Sequence, residues 1–137
     1  DNRMGVDACI SERALREVYL RGFEIAVKES APAAVMSSYN LLNGVHAANS
    51  RDLCTVLARE EWGFQGVIMS DWNTTVPADG SIPWKCAAAG NGIIMPGNIR
   101  DDENIRQAYM RGELTEETIR ECAGRIIALV DKICEEA

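Results

Sequence analysis

Residues 66–75 read GVIMSDWNTT: a short apolar run, then the carboxylate of Asp71, the indole of Trp72 and a string of small polar side chains. The apolar part has the length and branched content of a strand buried on both faces. An acid placed where such a strand stops raises a functional question. In parallel α/β architectures the loops that follow the strands gather at one end of the sheet, so residues just past a strand are the ones available for chemistry.

Two further runs of the same kind flank it. AAVMSSY (33–39) follows Pro32 and ends near Tyr39, and GIIM (92–95) is closed by Pro96 and Gly97. Between and around them the three-and-four spacing of apolar residues predicts helices. The first covers 11–30, with Ser11 as N-cap and Leu15, Val18, Tyr19, Gly22, Phe23 and Ala26 on its inner face. The second covers 51–62, capped by Asn49 or Ser50, with Leu53, Val56 and Leu57 inward. A short one covers 84–90, and two more cover 101–114 and 115–137. The last is capped by Thr115 and lines up Ile119, Cys122, Ile126, Ile127, Val130 and Ile133. Residues 40–50, NLLNGVHAANS, read as a loop with Asn and Gly turn chemistry,.

Continuous apolar strands alternating with amphipathic helices imply parallel pairing through right-handed crossovers. The expected fold class is therefore α/β, parallel strands with crossover helices. About three strands amount to part of a (β/α)8 barrel, which needs about 250 residues when complete. Val35, Val67, Ile68, Ile93 and Ile94 are expected to form an inner sheet face between two open edges. GNGIIMPG (90–97) does not serve as a dinucleotide loop, because Met95 stands where the third glycine belongs,.

Composition narrows the partners. The 137 residues are 47% hydrophobic and carry a net charge of −7 with no long basic run, so neither nucleic acid nor an anionic membrane is an expected partner. No apolar run approaches the roughly 20 residues that span a bilayer. Five cysteines without CxxC spacing read as reduced core residues, which points to a cytoplasmic, reducing location,. The chain begins at Asp1 rather than Met, so any N-terminal targeting region is expected to be missing from it,. The only histidine, His46, falls in the Gly/Asn loop as a surface residue, and it supports neither a catalytic triad nor a metal site,. No metal or cofactor is expected. The acidic RDDEN (100–104) reads as charge favourable to a helix N-terminus,.

Asp71 itself admits two readings, a turn-forming acid or a functional carboxylate. Trp72 beside it offers a flat apolar wall of the kind sugar rings stack on, although a tryptophan at such a place is often core.

VMSSYNLLNGV (35–45), LAREEWGFQGVIMSDW (57–72) and AAAGNGIIMPG (87–97) together resemble glycoside hydrolase family 3, the β-glucosidase family, in order and spacing. The resemblance covers nearly the whole chain. It implies that residues 1–137 are a fragment of that family's N-terminal barrel domain, taken from the C-terminal half of the barrel. It also implies a small carbohydrate substrate and hydrolysis of terminal non-reducing β-linked sugars with retention. Asp71 would be the nucleophile, and Met36, Tyr39 and Trp72 would bind the sugar. The acid/base would lie elsewhere in the parent enzyme, and a lysine-histidine sugar clamp upstream. The sequence departs from the family pattern at Gly92, where an Asp is common, and in the Pro-bearing stretch after SDWNTT. β-N-acetylglucosaminidase, β-xylosidase and a non-catalytic sugar-binding module are the alternatives. The isolated chain is expected to lack activity and to associate with the remainder of the parent enzyme or with a second copy.

Overall fold

A computed structural model describes residues 2–135. In chain order the strands are β1 (Asp7–Ala8), β2 (Ala34–Met36), β3 (Leu41–Leu42), β4 (Val45–His46) and β5 (Val67–Met69). The α-helices are α1 (Glu12–Ala14), α2 (Arg21–Ser30), α3 (Pro83–Ala89), α4 (Ile99–Met110) and α5 (Glu116–Glu135). A π-helical segment, Leu15–Tyr19, joins α1 to α2, and a second π-type helix covers Asp52–Glu61. The last two residues of the helix expected over 115–137 lie outside the described residues.

The centre is a parallel pair, β2 on β5, with Ala34 opposite Val67 and Met36 opposite Met69. The third apolar run joins it through a parallel bridge from Met69 to Ile93, with Ser70 N donating to Ile93 O at 2.8 Å. It goes no further as a strand, because Met95 N turns instead to the Ser70 hydroxyl at 2.9 Å. Parallel strands linked by crossover helices, the class expected from the sequence, are therefore what the chain forms.

Side chains alternate along a strand, so the inner face drawn from consecutive residues is corrected. Ile68 and its partner Val35 turn toward the helices, joining Val27, Cys54, Phe64 and Ala89 in one core cluster. Val67 turns the other way, yet at 1% exposure it is as well covered as Ile68 at 3%.

The first helical face is also corrected. Ser11 does cap α1, its hydroxyl accepting from Ala14 N at 3.3 Å. The wider turn that follows, with Leu20 N reaching Leu15 O at 2.8 Å, adds a residue to the repeat. That shifts later side chains by about 100° around the axis. Val27 becomes the buried residue of α2, while Val18, Tyr19 and Phe23 face outward. On α5 the expected stripe divides: Cys122 is buried against α3, its thiol near Ala87 O, but Ile127, Val130 and Ile133 are exposed. α4 starts at Ile99 because Asn98 and Asp101 form a reciprocal capping box, which also places Asp101 and Asp102 in the first turn,.

Gly66, directly before β5, turns its Cα hydrogen toward the Ala33 carbonyl that leads into β2. A Cβ built there would stand 2.3 Å from Ala33 O, closer than any real contact, and the obstacle is backbone. Gly66→Ala is expected to destabilise the fold by about 1–3 kcal/mol, the usual cost of overpacking. Urea unfolding checks it, and an unchanged midpoint would mean that the β2–β5 pair separates at little cost.

Candidate functional site

The alternation that buries Ile68 and Ser70 toward the helices carries Val67, Met69 and then Asp71 to the opposite side, with Met36 across from Met69,. Ser70 anchors the strand end from beneath, since its hydroxyl donates to Asp71 O at 3.0 Å while accepting from Met95 N. One oxygen of the Asp71 carboxylate accepts from Trp72 N at 2.7 Å, so the local turn bond is real. It occupies a single oxygen of the carboxylate, and the functional reading is compatible with it.

Tyr39 arrives from the end of the β2 segment. Its hydroxyl donates to Trp72 O at 2.7 Å and stands beside the Asp71 carboxylate. Desolvation first, and then that carboxylate, push the phenol above its ordinary pKa, while Arg3 pulls the other way. The Arg3 guanidinium lies over the Tyr39 ring, 5.4 Å from its centroid. The structure thus brings Tyr39, Asp71 and Trp72 to one rim. Met36 shares it through its register opposite Met69. Met36 and Trp72 are each 55% exposed, so the rim is an open ledge whose walls are only partly present.

Arg3 was not singled out from the sequence, where it stands ahead of every periodic segment. His46 was placed wrongly. It is buried, because residues 40–50 hold a hairpin: β3 and β4 are joined at Asn43 and Gly44, with φ of 51° and 85°. Those two positive values belong to a type I′ turn, and Asn-Gly between apolar residues was the signal for it. β1 pairs with β3 in parallel and completes a small second sheet.

The stretch from Asp71 to Ile82 is irregular but well tied. Thr74 and Ser81 are buried and bonded to each other, Ser81 N to Thr74 O at 3.0 Å and hydroxyl to hydroxyl at 3.0 Å. Asn49 grips the far end, accepting from Ile82 N at 2.8 Å and donating to Ile82 O at 2.9 Å. Gly92 has a packing reason: a Cβ there would lie 3.3 Å from the Cys122 Cβ, where α5 crosses. Burial pushes the Cys54 and Cys86 thiols up to about 12 and about 11, so neither is a nucleophile at neutral pH,.

Residues 4–129 match the family model described as "Glycosyl hydrolase family 3 N terminal domain". Beta-glucosidase B of Emericella nidulans is 41% identical over 133 residues, 96% of this chain and 15% of that protein. An exo-alpha-(1->6)-L-arabinopyranosidase of Bifidobacterium breve is 41% identical over 131 residues, 96% of this chain and 16% of that one. Among solved structures, beta-glucosidase 3B from Thermotoga neapolitana in complex with glucose superposes with a TM-score of 0.86 at 45% identity, over 94% of this chain and 18% of that one. The chain therefore spans about one sixth of the length of these relatives. The matching model is that of the N-terminal domain, which corrects the assignment to the C-terminal half of the barrel. On the match over residues 4–129, the chain belongs to glycoside hydrolase family 3.

Proposed function

We propose that this chain is the nucleophile-bearing part of a retaining β-glycosidase, β-glucosidase-like, acting on terminal non-reducing β-linked sugars. The observation that supports it most is the convergence of the Tyr39 hydroxyl and the Asp71 carboxylate at the ends of adjacent parallel strands, beside the exposed indole of Trp72. Asp71 attacks the anomeric carbon while a second carboxyl group, about 5 Å away in such enzymes, protonates the departing glycosidic oxygen. The resulting glycosyl ester is then hydrolysed by water, with the second group now acting as base. That group belongs to the remainder of the parent enzyme. Tyr39 holds the backbone beside the carboxylate by donating its hydroxyl to Trp72 O, and Met36 and Trp72 flank the sugar.

The names of the relatives include both a β-glucosidase and an arabinopyranosidase, so the sugar is left at the level of a small pyranoside. A non-catalytic sugar-binding module would keep the ledge without turnover. A 2-deoxy-2-fluoro-β-glucoside separates the two readings when applied to the full-length enzyme. Covalent label on the peptide that contains Asp71 is expected; label on another residue, or none under conditions of full sugar binding, would overturn the assignment.

Trp72→Ala is expected to weaken sugar binding by about 1–2 kcal/mol through lost stacking area, close to tenfold in Kd. Calorimetric titration with glucose measures it. An unchanged Kd would put the indole outside the sugar site.

A further inference from the structure

His46 is buried with Nδ1 2.9 Å from Tyr39 O and Nε2 2.7 Å from Asp79 O. Both neighbours are carbonyl oxygens, which only accept. A neutral imidazole has a single N–H and can satisfy one of them, leaving the other ring nitrogen with its lone pair against a lone pair. Both contacts are favourable only when each nitrogen carries a proton.

The two carbonyls belong to the two halves of the site. Tyr39 brings the hydroxyl that stands at the carboxylate, and Asp79 lies on the irregular stretch that starts at Asp71 and Trp72. Asn49 fastens that stretch at Ile82, beyond the point that His46 holds. Asp79 and Lys85 of α3 line one cavity of about 530 Å³ together with His46. Asp7 of β1 accepts from Gly44 N at 3.0 Å at the hairpin turn. Tyr39, with Arg3 and Asp71 behind it, completes the set.

We propose that His46 is a positioning residue of this site: a doubly protonated ring that ties the strand end carrying Tyr39 to the loop carrying Asp71 and Trp72. Loss of one ring proton releases one of the two carbonyls and loosens the hold on the Tyr39 hydroxyl, while the Asn49 tie stays in place. The clamp itself stands on the geometry of this chain. Its consequence for turnover rests on the glycosidase reading.

The test is a pH titration of the ¹⁵N-labelled 137-residue chain by NMR. The amides of Asn40 and Gly80 follow the two accepting carbonyls directly, and both are expected to shift with the same midpoint as the His46 ring nitrogens. In His46→Gln, which offers a donor at one nitrogen only, the shared response disappears. In the full-length enzyme the same substitution is expected to lower kcat about 10- to 100-fold with little change in KM, the scale of a misplaced catalytic group. A ring that keeps one tautomer on one carbonyl at every pH, or amides that ignore its titration, overturns the proposal. Full turnover in Asp71→Asn alongside an intact amide response would instead defeat the glycosidase reading and leave the clamp standing.

Discussion

Asp71→Asn is expected to lower turnover of the full-length enzyme by roughly 10⁴-fold or more, the scale seen when a group that forms a covalent intermediate is removed. The substitution is close to isosteric, and the amide oxygen can still accept from Trp72 N, the one bond that ties the side chain to its own backbone. The fold should therefore be kept, and a loss of activity reads as a loss of chemistry. Sugar affinity should change far less, because Met36, Tyr39 and Trp72 are untouched. Steady-state kinetics on an aryl β-glucoside, with thermal unfolding as control, measure both. A second variant sharpens the result: Asp71→Gly supplied with azide should form the α-glycosyl azide, since a small anion then attacks from the face that the carboxylate has vacated. A variant that retained a tenth of wild-type turnover would remove Asp71 from the nucleophile's role.

The rim was legible from the chain because strand ends are marked twice, by where the apolar run stops and by the polar residues that follow. Val67 to Met69 and Ala34 to Met36 carry that mark, with Asp71 shortly after the first and Tyr39 shortly after the second. What periodicity could not supply is which side of an element is buried. Consecutive Val67 and Ile68 are equally apolar, and only the sheet's pleat sends one to the helices and the other away. The π-helical turn at Leu15–Tyr19 is invisible to a 3.6-residue template, yet it decides that Val27 and not Phe23 meets the core. His46 was misplaced for a different reason: an Asn-Gly turn was read as the middle of a loop when it was the tip of a hairpin. Arg3 had no local signal at all, since its link to Tyr39 is purely tertiary.

The isolated 137-residue chain is expected to show no glycosidase activity and to associate reversibly as its concentration rises. The first half follows from the ledge. With Met36 and Trp72 each 55% exposed, a bound sugar would meet a wall on one side and water on the other. Retention also requires a second carboxyl group that the proposed mechanism assigns to the rest of the enzyme. The second half concerns two helical stripes. Val18 is 67% exposed, with Tyr19 and Phe23 beside it, and on α5 Ile127 is 60% exposed, with Val130 and Ile133 following. Complete burial of six such side chains is worth of order 10 kcal/mol in transfer free energy, and association costs about 4–15 kcal/mol in lost freedom. The balance allows weak self-association and does not allow a tight dimer. In the intact protein these stripes are proposed to be covered by the remainder of the parent enzyme. Sedimentation equilibrium across a hundredfold concentration range should show a rising average mass. Replacing Val18, Tyr19 and Phe23 by Ser should flatten that rise without unfolding the chain, because the core is built from Val27, Cys54, Phe64, Ile68 and Ala89 on the other side. A wild-type chain that stays monomeric throughout would show that the stripes tolerate water unaided, and turnover abolished by Asp71→Asn would show that a second carboxyl group already lies within reach.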